Sequence, residues 1–208
     1  CLFIKDKGLH NKSFLMIYVD DGGIFSSDEN IKEVLKELSK TFVVKDLGTM
    51  ETFVGCRIVE NKSKTAIYVH QPKLIKNLKQ QFGSLVENMS KFPTPAAPKT
   101  VIVRPEKDMP LLSPTNQTQY RSGVGMLLYL VKHSRPDIAN AVRELTKVLD
   151  KATIAHWKAL LRTIKFVFDT KSYALKIQPV IRKDLKYDLE VYSDSEFAGD
   201  PETRASVY

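Results

Sequence analysis

The sequence is poor in the features that define several protein classes. Its two cysteines, Cys1 and Cys56, cannot form a disulfide framework and lack metal-ligand spacing, which favours a reducing compartment. No apolar run approaches the ~20 residues that a membrane-spanning helix needs, so we expect no membrane partner. The chain begins without a methionine, a basic leader or a cleavage site. We therefore expect no signal peptide and interpret the chain as a segment of a longer protein.

The composition is that of an ordinary folded protein with a basic centre. Of 208 residues, 43% are hydrophobic and 27% charged, which excludes a disordered tail, a collagen-like repeat and a coiled coil. The net charge is +8, and the excess lies in residues 61–108 and 131–176. A basic body flanked by acidic ends can bind a polyanion. A Lys-rich solvated surface explains the same charge, and charge alone leaves both readings open.

Hydrophobic periodicity predicts an α+β fold. An Asp/Gly turn separates two apolar strands near the start, and Ser27 is a typical cap for the helix that follows. Six of the ten prolines fall between residues 91 and 116, which predicts an extended linker. Strands are predicted at residues 13–19, 24–25, 52–59, 65–70, 173–177 and 187–193, and helices after Ser27, from Pro72, and around residues 120–131, 138–149 and 154–168.

One tetrapeptide points to chemistry. Tyr18-Val19-Asp20-Asp21 ends a hydrophobic strand with two adjacent carboxylates at a tight turn. Such a concentrated negative site suits magnesium, a hard ion that prefers oxygen ligands. In polymerases, two such ions about 4 Å apart activate the primer 3′-hydroxyl and stabilise the leaving pyrophosphate. Asp-Asp-Gly-Gly also favours a turn without any function, so the tetrapeptide alone leaves both interpretations open.

Seven ordered blocks extend the signal over nearly the whole chain. Together they resemble the reverse transcriptase of copia-type retrotransposon Pol polyproteins. The blocks are residues 14–21, 44–48 with 53–55, 68–72, 120–125, 134–139, 156–159 and 192–200.

The resemblance implies a partial polymerase of defined layout. Residues 1–90 would form the C-terminal part of the palm, with β-hairpins and helices, and the start of the thumb. Residues 91–116 would be the Pro-rich linker, and residues 117–178 the helical thumb and connection. Residues 186–208 would be the truncated N-terminal start of a ribonuclease H-like domain, including its first strand.

Roles follow from the same resemblance. Asp20 and Asp21 would be catalytic and metal-binding, with Mg2+ or Mn2+ as cofactor, and Tyr18 and Val19 would contact the primer-template. Asp194 would be the first metal-binding carboxylate of ribonuclease H, although Ser-Asp-Ser-Glu after a strand is otherwise an ordinary acidic turn. Five basic residues are candidate contacts to the nucleic-acid backbone, with a solvated face as the equal alternative. They are Lys73, Lys76, Lys158, Arg162 and Lys165.

The parent protein implied is an RNA-directed DNA polymerase with ribonuclease H. It would act on an RNA template, a DNA primer or RNA–DNA hybrid, and deoxynucleoside triphosphates, together with the rest of the Pol polyprotein. It would reside in the cytoplasmic virus-like particle of the parent element, and in the nucleus after assembly. Two other hypotheses stay open: a degenerate retroelement remnant that only binds nucleic acid, and a basic α+β domain with no nucleic-acid role.

The chain also departs from the family pattern. The third metal-binding carboxylate lies, in the family, upstream of this segment, and neither Asp6 nor Asp46 sits in that motif. Gly22-Gly23 replaces a bulky apolar pair, which we expect to loosen the hairpin. We therefore expect the isolated chain to be nearly inactive.

Overall fold

The computed structural model describes residues 1–6, 8 and 11–178 of the chain. It is an α+β structure that divides into two compact units, Cys1–Val59 and Glu60 onward. The strands are β1 (Leu2–Asp6), β2 (Lys12–Tyr18), β3 (Asp21–Phe25), β4 (Thr52–Phe53), β5 (Cys56–Glu60), β6 (Ile67–His70) and β7 (Leu175–Ile177). The helices are α1 (Asp28–Leu38), α2 (Pro72–Val86), α3 (Pro114–His133), α4 (Ala139–Thr146) and α5 (Ile154–Asp169).

The first unit is built on an antiparallel sheet in the order β1-β2-β3. Lys5 of β1 pairs with Ser13 of β2, so their side chains share one face of the sheet. Lys5 Nζ reaches Glu33 at 3.3 Å and Glu37 at 2.9 Å, which places α1 on that face. The opposite face is largely open, and Leu2 and Ile4 are 59% and 58% exposed there.

The strand predicted at residues 52–59 is divided in the structure. Phe53 pairs with Cys56, so Val54 and Gly55 form a two-residue turn between β4 and β5. Their φ angles of 48° and 72° are both positive, as a type I′ hairpin turn requires. Valine is a poor residue for that conformation, which is why β-propensity predicted one continuous strand here.

The second unit has a helical core. The patterns predicted around residues 120–131, 138–149 and 154–168 coincide with α3, α4 and α5. Gly123 of α3 allows close packing, because a Cβ there would lie 2.9 Å from Phe82 of α2 and 3.1 Å from Leu160 of α5. Tyr120 is fully buried and donates to the Leu145 carbonyl at 2.9 Å, and burial raises the pKa of its hydroxyl. No helix of the described part of the chain is long and apolar enough to cross a membrane.

The Pro-rich segment between α2 and α3 packs on this core. Residues 87–113 form no helix or strand beyond one isolated bridge between Leu111 and Thr153. The Ile102 amide donates to Glu144 Oε2 of α4 at 2.8 Å, and both residues are buried. The strand predicted at residues 173–177 is present as β7, which pairs antiparallel with β6. The strand predicted at residues 187–193 lies outside the described residues.

Candidate functional site

The two adjacent carboxylates lie at the tip of the β2–β3 hairpin. Tyr18 pairs with Asp21 in register, so Val19 and Asp20 form the connecting turn. The sequence placed the turn at Asp20–Gly23, whereas the two glycines belong to β3. Asp20 therefore occupies the turn and Asp21 begins β3. Both residues are exposed at the end of the hairpin.

The turn is strained at Val19. Its φ of 57° lies in the left-handed region, which costs a residue with a Cβ about 1–2 kcal/mol. Val19 is 86% exposed and Tyr18 57% exposed, so burial of these side chains does not offset the strain. Strained backbone persists where the surrounding structure imposes it, and it concentrates at functional sites. Both side chains are accessible to a ligand at the tip.

The donor set at the tip suits a hard divalent ion. Within residues 1–6, 8 and 11–178, no side chain forms an ion pair or hydrogen bond with Asp20 or Asp21, so their oxygens are available as ligands. The same residues contain no group of three acidic, histidine or cysteine side chains close enough to hold a metal. The hairpin tip thus presents two adjacent exposed carboxylates, and their role as metal ligands stays a prediction.

The other two aspartates considered from the sequence are engaged locally. Asp6 accepts the Gly8 amide at 2.9 Å and pairs with Lys12 at 3.1 Å, and these contacts, the Gly8 bond first, lower the pKa of its carboxyl. Because Asp6 pairs with Lys12 in register, it lies at the opposite end of β2 from the tip. Asp46 accepts the Gly48 amide at 2.8 Å in a local turn.

The five basic candidates differ in their surroundings. Lys73, Lys76 and Lys158 are exposed, the first two on α2. Lys165 pairs with Asp169 at 2.7 Å and is only 14% exposed. The Arg162 guanidinium lies 4.2 Å from the centre of the Phe92 ring. It also donates to the Thr94 carbonyl at 3.4 Å. A phosphate contact by Lys165 or Arg162 would compete with these bonds, and all five assignments stay predictions.

The sequence reasoning overlooked an exposed stripe along α3, which we call the α3 stripe. It comprises Arg121, Gly125, Tyr129 and Lys132, which are one turn apart on one helix face. Glycine in a helix costs about 1 kcal/mol relative to alanine, yet a Cβ at Gly125 would meet no atom within 4 Å. An exposed mid-helix glycine between a basic and an aromatic residue is the signal that could have found it.

Comparison with known proteins identifies relatives of the whole chain. The retrovirus-related Pol polyprotein from transposon TNT 1-94 of Nicotiana tabacum is 28% identical over 99% of this chain and 15% of its own length. The one from transposon RE1 of Arabidopsis thaliana is 29% identical over 99% of this chain and 13% of its own length. The chain is a homologue of retrotransposon Pol polyproteins. The resemblance to copia-type Pol polyproteins inferred from the seven blocks is confirmed.

Other comparisons mark the extent of the similarity. An uncharacterized mitochondrial protein of Arabidopsis thaliana is 29% identical over 93% of this chain and 75% of its own length. No protein-family model and no solved structure matches. The chain spans about 15% or less of the Pol polyproteins it matches. Asp194 and the segment 186–208 assigned to ribonuclease H lie outside the described residues.

Proposed function

We propose that this Pol homologue is a segment of an RNA-directed DNA polymerase that performs template-directed nucleotidyl transfer. It would supply part of the palm, the thumb and connection, and the start of the ribonuclease H domain. The observation that carries the proposal is the β2–β3 hairpin, which presents two exposed carboxylates next to a strained, exposed Val19. Homology to Pol polyproteins supports it along the whole chain.

The hairpin residues would perform distinct tasks in that reaction. Asp20 and Asp21 would hold Mg2+, or Mn2+ in its place. The bound ions would supply activation of the primer 3′-hydroxyl and neutralisation of the charge that develops on the phosphates. Tyr18 and Val19 would contact the primer-template end, because both side chains are exposed beside the carboxylates. The fixed two-residue turn orients Asp20 relative to Asp21, which begins the paired strand.

The helices would hold the RNA–DNA hybrid through its backbone. α2 carries three lysines and no acidic residue, and Lys73 and Lys76 are exposed. α3 likewise has no acidic residue, and the α3 stripe places Arg121 and Lys132 on either side of Gly125. Gly125 lets a sugar-phosphate backbone approach the helix closely. Binding of this kind is sequence-independent and sensitive to salt.

The remaining parts of the active site would come from the rest of the Pol polyprotein. A third carboxylate and the nucleotide-binding fingers would complete the site for deoxynucleoside triphosphates. We place the parent protein in the cytoplasmic virus-like particle of the element, and in the nucleus after assembly. The isolated chain would bind a hybrid and extend no primer.

Primer extension measured beside hybrid binding tests the proposal. In the Pol polypeptide that contains the chain, Asp20→Asn should reduce primer extension about 100- to 1,000-fold and leave hybrid affinity unchanged, because a lost metal ligand costs several kcal/mol. Asp46→Asn, which alters an exposed aspartate in a local turn, is the matched control. Hybrid binding without Asp20-dependent extension would support the alternative of a remnant that only binds nucleic acid. Loss of both at low salt would leave a basic domain with no nucleic-acid role.

A further inference from the structure

Gly23 of β3 is buried beneath a side chain from a distant segment. A Cβ on Gly23 would overlap the terminal methyl of Met50 and would lie 3.5 Å from the Phe25 ring. Met50 therefore occupies the volume that a side chain at position 23 would fill. The bulky residue expected at this position is absent, and Met50 takes its place in the packing rather than leaving the hairpin loose.

Met50 is the anchor of an otherwise exposed segment. Residues 39–49 follow α1, and every one of them is exposed, Val43 and Leu47 strongly so. Met50 is the first residue after them that is partly buried. A flexible thioether side chain is well suited to fill an irregular gap of this kind. The contact with Gly23 thus ties this segment to the hairpin.

The contact lies next to the candidate catalytic carboxylates. Gly23 and Asp21 are two residues apart on β3, so they share one face of the sheet. Gly23 also pairs with Met16, and Asp21 pairs with Tyr18, so the contact lies two residue pairs below the pair that closes the turn. The turn contains Val19 in a conformation that requires support from its surroundings.

We propose that Met50 is a positioning residue for the carboxylates, which presses on Gly23 and so fixes the strand that begins with Asp21. This inference rests on the proposed polymerase function. Met50 touches no reacting atom and acts through the placement of β3. Displacing a reacting group by about 1 Å can cost about 100-fold in rate, so a small shift of β3 is enough to be measured.

A double-mutant cycle in the Pol polypeptide tests the role. Met50→Ala removes the support and should lower kcat for single-nucleotide incorporation by about tenfold to 100-fold. Gly23→Ala displaces only the flexible end of the Met50 side chain and should lower kcat by less than Met50→Ala does. The nucleotide KM and the hybrid affinity should stay within about twofold of wild type, because the proposed role acts through the placement of β3 and not through a contact with substrate. In the double variant, the alanine methyl at position 23 replaces the lost thioether methyl, so kcat should recover by about tenfold. Leu47→Ala, which is exposed in the same segment, is the control and should leave kcat unchanged.

The possible outcomes distinguish a failure of the positioning role from a failure of the proposed polymerase function. A wild-type protein that shows no Asp20-dependent extension overturns the proposed function and the positioning role with it. An active wild type whose Met50→Ala variant retains kcat overturns the positioning role alone. The positioning role is also overturned if both single variants lose kcat and the loss in the double variant equals the product of the two single losses. Such independent effects would mean that the two residues do not act through their contact.

Discussion

Arg135 and Asp137, two residues apart, form a fork-to-fork ion pair inside the helical unit. Arg135 donates to the two Asp137 oxygens at 2.8 and 2.7 Å while its own side chain is 1% exposed. Its guanidinium also donates to the Thr170 hydroxyl at 2.8 Å and to the Thr170 carbonyl at 3.3 Å. Because Arg135 precedes α4 and Thr170 follows α5, these bonds join the start of one helix to the end of another.

The first prediction concerns this buried guanidinium. Arg135→Lys should destabilise the chain by about 1–3 kcal/mol, because a lysine cannot bond both Asp137 oxygens and Thr170 at once. Urea unfolding followed by Trp157 fluorescence measures the change. Arg104→Lys is the control, since Arg104 pairs with Asp150 at 3.7 Å on the surface and should change stability by less than about 1 kcal/mol. Equal losses of stability in the Arg135 and Arg104 variants would contradict this role of Arg135.

A second prediction concerns pH and the start of α5. His156 Nδ1 accepts the Thr153 amide at 3.1 Å as part of a capping box. Burial lowers the pKa of His156 below its ordinary 6.5, and a hydrogen bond to the Val103 backbone opposes this only in part. The unfolded chain therefore binds the proton more readily. This contribution to stability is present above about pH 6.5 and declines as the pH falls through that value.

Unfolding midpoints measured from pH 8 to pH 5 would show the effect. The wild type should lose stability on acidification relative to His156→Gln, which keeps a capping acceptor without a proton to bind near neutral pH. Parallel pH profiles for the two proteins would contradict the assignment.

The α3 stripe makes a third prediction in which stability and binding change in opposite directions. Gly125→Ala should stabilise the chain by about 0.5–1 kcal/mol, because the helix gains a better residue and the new methyl meets no atom. The same methyl should weaken hybrid binding, measured by fluorescence anisotropy, because it blocks close approach of the backbone. Gly83→Ala on α2 is the control and should leave affinity unchanged. Unaltered affinity in Gly125→Ala would remove the α3 stripe from the interface.

A fourth prediction ranks the basic residues. Replacing Lys73 or Lys76 with alanine should reduce the slope of log affinity against log salt by about 1 each, because each exposed lysine would displace a counterion. Lys165→Ala should change the slope less, since Lys165 already pairs with Asp169. A larger effect from Lys165 than from Lys73 would place the nucleic acid on α5 instead of α2.

Much of this structure is predictable where one local rule dominates. The helices of the second unit follow from apolar residues at helical spacing. The exception is the start of α3 at Pro114, which lies inside the segment predicted to be a linker, although proline is favoured in a first turn. The hairpin was predicted but its turn was displaced, because glycines normally mark turns and here a valine adopts the left-handed conformation. The turn at Val54-Gly55 was missed for the same reason, because a valine there also adopts a positive φ angle.

Long-range packing explains what the sequence could not show. From the sequence, the glycine at position 23 predicts a loosened hairpin. In the structure, the side chain of Met50, 27 residues further along the chain, packs against Gly23. The Lys158–Arg162–Lys165 spacing predicts a basic stripe, yet Phe92 and Asp169 engage two of its members. Gly125 has no such neighbour, and only the open space around it distinguishes it from the packed Gly123.

Magnesium-dependent incorporation of a single nucleotide is the most direct test of the central claim. The Pol polypeptide containing this chain would be given an RNA template, a DNA primer and the next complementary nucleotide across a Mg2+ titration. We expect saturable incorporation by the wild type and by Asp46→Asn, and at least about 100-fold slower incorporation by Asp20→Asn at every Mg2+ concentration. Incorporation by Asp20→Asn at the wild-type rate would show that the β2–β3 hairpin is not the catalytic centre.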